Sequence, residues 1–477
     1  MSIAILVGGE RQRAWVGVLK RRLEERIGQT VAVHAAGGED ERPLAFERID
    51  RRLFGSPRPD LLAWETLATS DLPANALVID LTEGGVPGEH VLTPLFNGQR
   101  GRAGMAASVQ TSGLPRLSVR LGPTRELIAT ELALVSRESV ALSLNAILAR
   151  LVTLLERAVL HLVEGLSLPI TAPGAAEPHR PAPKLKGYAK SVAHRLAGPL
   201  VRTGDWTIGW QQARTGRPAE PDPANLQFLA MDYDRFAADP MLFAHGERTW
   251  LFFEDYDYAR ALGRLSCVQI GGDGRARPPV TVMERTSHLS YPFVFAHEGT
   301  VYMVPETSAD RRVELWRATD FPTGWERCAV LLDGVEAVDA TIRQDAESGR
   351  WWMFASVAEP GASTYDTLSI YWSEALTGPW TAHKLNPVKL DAASSRPAGP
   401  IVEQDGAWWR PAQDCTRGYG SGLAWCRIDA LDPEQFAETV VERWQPSGGY
   451  RGLHTYTQAG GWAAIDLQRR RWRTKRS

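Results

Sequence analysis

Residues 394–415 read SSRPAGPIVEQDGAWWRPAQDC. An apolar strand, a turn at Asp405-Gly406 and an aromatic second strand closing on Gln413 and Asp414 make this a β-hairpin with polar ends. The same unit recurs four times. ADPMLFAHGERTWLFFED starts at Ala238, SYPFVFAHEGTVYMVPET at Ser290, VDATIRQDAESGRWWMFAS at Val338 and LHTYTQAGGWAAID at Leu453. Successive units start about 45 to 60 residues apart, the length of one four-stranded blade. Five units predict an all-β five-bladed propeller over 205–467. Stretches such as VELWRATDFPTGWERCAVLLDG (313–334) and LSIYWSEALTGPWTAHKLNP (368–387) supply its outer strands.

The chain ahead of the repeats has another character. Of the 17 tryptophans only Trp15 and Trp64 precede residue 200, so the two parts differ in architecture. IAILVGG reads as a buried strand, RAWVGVLKRRLEERIG as an amphipathic helix ended by Gly28, and TVAVHAA and NALVIDLTEGG as further strands. That alternation predicts a small α/β domain over 1–125. Residues 126–167 carry apolar residues at helical spacing and are read as a helical segment. A Pro/Ala-rich linker spans 168–204, and a basic tail, QRRRWRTKRS, occupies 468–477. The tail is either a solvated charge run or a peripheral contact to an anionic membrane face.

Composition narrows the function classes. In 477 residues the net charge is −2, with 44% hydrophobic and 23% charged residues, so no global basic footprint for nucleic acid exists. Cys267, Cys328, Cys415 and Cys426 form no CxxC pair and have no histidine cluster near them, which argues against a structural metal. The apolar run after Met1 is six residues long, too short for a secretory signal. No stretch approaches the roughly 20 apolar residues a membrane helix needs. A cytoplasmic protein without cofactor or metal is the expectation.

Several short motifs, HLSYPFVF (288–295), YMVPET (302–307), ELWRATDFPTGW (314–325), RPAGPI (396–401), RPAQDC (410–415) and HTY (454–456), carry a resemblance. The propeller resembles family 43 glycoside hydrolases. It is closer to the domain that precedes the transferase module in plant glucosamine inositolphosphorylceramide transferases. In bacteria such propellers often follow a formyltransferase-like domain, and 1–125 resembles one faintly. The resemblance to formyltransferases implies an Asn followed by a His as catalytic base. Here Asn97 has no such partner, the next suitable histidine being His161 in a helical stretch, so this domain is read as degenerate.

In a propeller the inner strands line one channel, so polar residues at equivalent strand ends converge. The resemblance places Asp239 where family 43 enzymes carry a catalytic base and Asp339 where they carry a carboxylate that tunes the acid. Glycosidic cleavage also needs an acid to protonate the leaving oxygen. Those enzymes take it from a Glu-Gly-Pro segment; this chain has Ala398-Gly399-Pro400, and an alanine donates no proton. Glu306, Asp414 and Glu254 are the candidates to replace it, each equally readable as a hairpin or inter-blade polar pair. Glu254, His288, Tyr291, Arg396, Arg410, Gln413 and His454 are candidate substrate-binding residues. Arginine forks suit a sugar phosphate or nucleotide sugar as well as a plain glycan. The plain alternative for Arg396 and Arg410 is a lock between blades. Two functions follow: an enzyme acting on glycosidic bonds in glycoconjugate or polysaccharide biosynthesis, by transfer rather than hydrolysis, or a non-catalytic glycan- or glycolipid-binding module assisting a partner glycosyltransferase.

Overall fold

From residue 201 onward, alternating apolar and polar residues fold as five antiparallel sheets, each led by one of the repeated hairpins. The structure, a computed structural model, describes residues 1–38, 43–44, 47–110, 113–133, 139–171, 201–214 and 218–472. It divides into two compact units. One holds the described residues up to 171 together with 359–363, and the other holds the remainder from 201.

The second unit is a five-bladed β-propeller. Blade one runs outward through Arg235–His245, Arg248–Asp257, Leu262–Ile270 and Val280–Met283. Blade two comprises Ser290–His297, Thr300–Thr307, Arg312–Asp320 and Gly324–Asp333. Blade three begins with Ala337–Gln344, Trp351–Val357 and Thr367–Ser373, and blade four with Val402–Gln404 and Ala407–Asp414. Blade five joins the two ends of the unit. Its inner strands are Tyr456–Ala459 and Trp462–Trp472, and Val201–Gln212 pairs antiparallel with the latter. Ten register pairs from Val201–Trp472 to Gln212–Trp462 thus close the ring. The segment read as a basic tail therefore begins as strand through Trp472; 473–477 lie outside the described residues, as does most of the linker.

One backbone device repeats around this ring. Asp239, Tyr291 and Asp339 adopt left-handed φ of 53°, 43° and 54°, and Gly399 a φ of 136°. In the first three blades the register between inner strands slips at this point, between Ala238 and Met241, Ser290 and Phe293, and Val338 and Thr341. A bulge of this kind re-aims a side chain that the pleat would otherwise bury in the sheet. Non-glycine residues bear a strain cost there, which is why such conformations gather at functional sites.

The first unit is a six-stranded sheet. Ala32–Ala35, Ile3–Val7, Leu77–Asp80 and Val91–Phe96 lie parallel in that order, followed by antiparallel Arg116–Leu121 and Arg125–Glu131. The last strand begins what the sequence reading took as helix. Within RELIATE the buried positions Ile128 and Thr130 alternate, and the Gly122 turn (φ 63°) pairs it back on its neighbour. The helix itself, Val140–Glu164, starts where Ser139 Oγ accepts the Leu142 N–H and stops at left-handed Gly165. Asn97 also occupies a left-handed turn, its Oδ1 accepting the Arg116 N–H at 2.8 Å.

Gly399 tests the ring device directly. A Cβ there would lie 2.0 Å from the Tyr456 carbonyl oxygen, at a φ that L side chains avoid. Gly399→Ala is expected to lower unfolding free energy by more than about 2 kcal/mol, measured by urea denaturation of the whole chain.

Candidate functional site

Blade closure brings three acidic or basic groups from distant sequence together. The His454 ring lies between two carboxylates, with Nε2 2.9 Å from Asp239 Oδ1 and Nδ1 2.8 Å from Asp466 Oδ2. Asp466 also accepts the backbone N–H groups of Asp239, His454 and Thr455, each at 3.0 Å. Burial alone would lower the histidine, but Asp466 and Asp239 outweigh it and raise the imidazole to about 10. His454 is therefore an imidazolium at neutral pH. The three groups have the spacing of a cation site, their ligand atoms within 4.8 Å.

Asp239 is the hub of this network. Its Oδ1 also accepts from Thr455 Oγ1 at 3.2 Å, and its Oδ2 accepts the Tyr291 N–H at 3.2 Å. Burial favours the neutral acid, yet His454, with Arg396 adding to it, holds Asp239 below the ordinary carboxylate range. Asp239 is thus held in its carboxylate form.

A second cluster centres on Asp339. Its Oδ2 accepts from Arg396 Nε at 2.6 Å and Gln413 Nε2 at 3.0 Å, and its backbone N–H donates to Glu306 Oε2 at 3.2 Å. Burial pushes the Asp339 carboxyl well above the usual carboxylate range, with Arg396 pulling against it. Burial also draws Arg396 down, and Asp339 more than reverses it, so the guanidinium stays cationic. Arg396 Nη1 donates to Thr364 Oγ1 at 3.1 Å, and the guanidinium lies over the Tyr419 and Tyr365 rings at 5.0 and 5.6 Å. The charges of Asp239 and Arg396 act on one another, as do those of Asp239 and Asp339, so both clusters belong to one axial site.

Other predicted residues stand elsewhere. Arg410 is fully enclosed; its Nη2 and Nε donate to Glu438 at 2.7 and 3.1 Å, and its remaining contacts are the Ser394 and Ser395 carbonyls. Lys389 shares the same glutamate at 2.6 Å, and the two cations overcome burial to draw Glu438 down to about 2. This is an intra-fold lock. Asp414 accepts from Thr416 N–H and Oγ1 at 2.9 and 2.6 Å and from Gln445 Nε2, and so caps a turn. The Tyr291 hydroxyl is wholly buried, accepting the Gly399 N–H at 2.8 Å and meeting Thr341 Oγ1 at 2.8 Å. Trp408 carries the Arg343 guanidinium 4.8 Å over its ring. Ala398 is fully buried in the apolar core with Trp425 and Tyr456, so the absent acid's position faces packing.

Sequence reasoning missed Asp466, Thr455, Trp206, Tyr365 and Tyr419. Trp206 and Tyr419 flank the His454 ring at 4.1 and 5.0 Å. The aspartate in WAAID closed a quoted repeat, with Glu254 and Glu306 one residue short of the end of theirs, and that near-equivalence was the available signal.

Residues 229–451 match the family described as glucosamine inositolphosphorylceramide transferase 1, N-terminal. Glucosamine inositolphosphorylceramide transferase 1 of Oryza sativa subsp. japonica is 31% identical over 245 residues, covering 48% of this chain and 32% of the relative. The Arabidopsis thaliana protein of that name is 32% identical over 210 residues, covering 43% of this chain and 27% of its own. The chain spans about a third of the length of the curated relatives it matches. Among solved structures, an exo-β-1,3-galactanase from Clostridium thermocellum is 10% identical with a TM-score of 0.37, covering 53% of this chain and 65% of its own. The GH43 BlXynB protein from Bacillus licheniformis is 16% identical with a TM-score of 0.36, covering 52% and 55%.

The histidine's raised value fixes a sign. A group whose proton is held more tightly when folded contributes stability fully below its unfolded value near 6.5, and that stability is lost as pH rises through about 10. The urea midpoint is expected to fall between pH 7 and pH 10.5. His454→Gln should flatten that dependence and cost about 3–5 kcal/mol at pH 6, because it leaves buried carboxylates uncompensated.

Proposed function

We propose that the propeller acts on glycosidic bonds during glycoconjugate or polysaccharide assembly, by transfer to an acceptor hydroxyl rather than by hydrolysis. The observation that carries this reading is Asp239: an ionised carboxylate, set on the axis by a strained bulge and braced by an imidazolium. In this role its Oδ2 takes the acceptor's proton, while Asp339 and Glu306 set the field around the reacting sugar. The relatives are named as transferases, which supports transfer.

The ligand class follows from charge. Arg410 is committed to Glu438 and Arg396 to Asp339, so neither supplies an uncompensated cation for a phosphate. A neutral glycan suits the axial site better than a sugar phosphate or nucleotide sugar. Half-buried Tyr365 and Tyr419, 5.4 Å apart, offer ring faces for it. We assign the protein to the cytoplasm: its four cysteines are free thiols, three of them buried. Among the described residues no helix is long and apolar enough to cross a membrane. The first unit is proposed as a degenerate formyltransferase-like domain, since Asn97 Oδ1 is committed to its own turn and the His161 Nδ1 lies 2.8 Å from the Leu166 carbonyl.

One observation favours a second reading. The family match is to a region described as N-terminal in proteins about three times as long as the matched segment. On that reading the propeller is a non-catalytic module that presents a glycan or glycolipid to a partner glycosyltransferase.

Asp239→Asn separates the two. As an enzyme, the variant should lose turnover by on the order of 10²–10⁴-fold while glycan-array affinity is retained. Persistent binding with no turnover by the parent protein on any glycan or activated-sugar donor would sink the enzymatic reading and leave the module.

A further inference from the structure

Hydrogen-bond accounting sorts the axial carboxyls into two kinds. Asp239 accepts from Thr455 and Tyr291 and faces His454. Asp466 accepts three backbone N–H groups and faces the same ring. Asp339 accepts from a guanidinium and an amide, and Glu306 from Ser308 Oγ and the Asp339 N–H. Each of these four accepts hydrogen bonds from named donors, although burial still pushes Asp339 above the usual carboxylate range.

Glu254 is the exception. It lies on the second strand of blade one, registered opposite Ala238, the residue before Asp239. Its side chain keeps only 9% of its surface. Among the described residues its one contact with a hydrogen-bonding group is His288 Nε2, 3.4 Å from Oε1. A carboxyl removed from water without donors keeps its proton rather than its charge. Burial, then the charge of Asp239, pushes it well above the ordinary glutamate range.

His288 is fixed in one protonation state by the backbone. The Gly263 N–H donates to His288 Nδ1 at 3.0 Å, so Nδ1 holds a lone pair and the ring proton sits on Nε2, facing Glu254. A second proton on Nδ1 would confront that N–H, and burial already lowers the imidazole. Position 263 must be glycine for this fit: a Cβ would come within 2.7 Å of Glu254 Oε1 and of His288 Cε1.

From these contacts we infer that Glu254 is the general acid of the axial site, replacing the one absent at Ala398, with His288 as its positioning residue. This rests on the enzymatic reading above. In the step, the Glu254 O–H bond breaks and its proton passes to the glycosidic oxygen. The C1–O bond breaks with its electron pair on that oxygen, which leaves as an alcohol. The acceptor hydroxyl bonds C1 and gives its proton to Asp239. Glu254, now a carboxylate, is faced by the Nε2–H of neutral His288, which keeps its proton, and one proton returns from Asp239 to Glu254 through solvent before the next cycle. Paired carboxyls with their affinities driven apart by environment are what such chemistry requires.

Two measurements on the full-length chain test this. The first is infrared difference spectroscopy at pH 7, comparing the parent with Glu254→Gln. A protonated carboxyl component present in the parent should be missing from the variant, any contribution of Asp339 being common to both. Its loss on titration should move to lower pH in Asp239→Asn and to higher pH in His288→Phe. Absence of that band at pH 7 overturns the assignment, whatever the protein does with glycans. The second compares aryl glycosides with good and poor leaving groups. Glu254→Gln should lose on the order of 10²–10⁴-fold on phenyl glycosides and little on dinitrophenyl glycosides. His288→Phe should shift the alkaline limb of the pH profile. Equal losses on both leaving groups overturn the acid role. A parent protein inert to the whole panel overturns the enzymatic reading and the acid role together, even with the infrared band in place.

Discussion

The imidazolium of His454 between Asp239 and Asp466 is the interaction on which the rest depends. Asp239 belongs to the first blade and Asp466 to the last, so the bridge ties the first blade to the one whose strands close the ring. The same contact keeps Asp239 ionised. Closure of the fold and the charge state of the site are thus one arrangement, and neither can be altered alone. Burying three ionisable groups is costly in isolation. Here the backbone donors of Asp239, His454 and Thr455 satisfy the remaining Asp466 lone pairs.

Much of the fold was legible in the sequence because propeller blades repeat. The five hairpins fall on the inner strand pairs of five sheets, and the Asp-Pro and Tyr-Pro dipeptides at 239 and 291 mark the bulges. The contacts join Asp239 to His454, and Asp339 to Arg396, Gln413 and Glu306. Roles were less legible. Arg396 and Arg410 sit in the same Arg-Pro dipeptide, yet one lines the axis and the other is sealed against Glu438, 28 residues on in an outer strand. Only the partner distinguishes them, and partners across strands leave no local signal. RELIATE failed for a related reason: its spacing satisfies either period, and pairing with Arg116–Leu121 decides it.

The glycine-rich loops of the first unit show the same limit. Gly85 and Gly101 stand in loops after strands, and the space beside each is filled, by Arg100 and Glu83 respectively. Arg100 in turn pairs with Asp80 at 2.5 Å, at the end of the parallel strand Leu77–Asp80. The open polar cleft of this unit lies instead beyond the first two parallel strands, about 980 Å³ bordered by Glu10, Arg11, His34 and Ser70. It occupies the carboxyl edge of the sheet, where open α/β domains present their loops.

The repeated left-handed bulge has a consequence for how such a protein changes over time. Because main-chain geometry, and not side-chain identity, aims positions 239, 291 and 339, each is an interchangeable socket. Aspartate and tyrosine already occupy the same backbone shape. A lineage can therefore exchange a reactive group for an inert one, or restore it on a neighbouring blade, while the scaffold stays as it is.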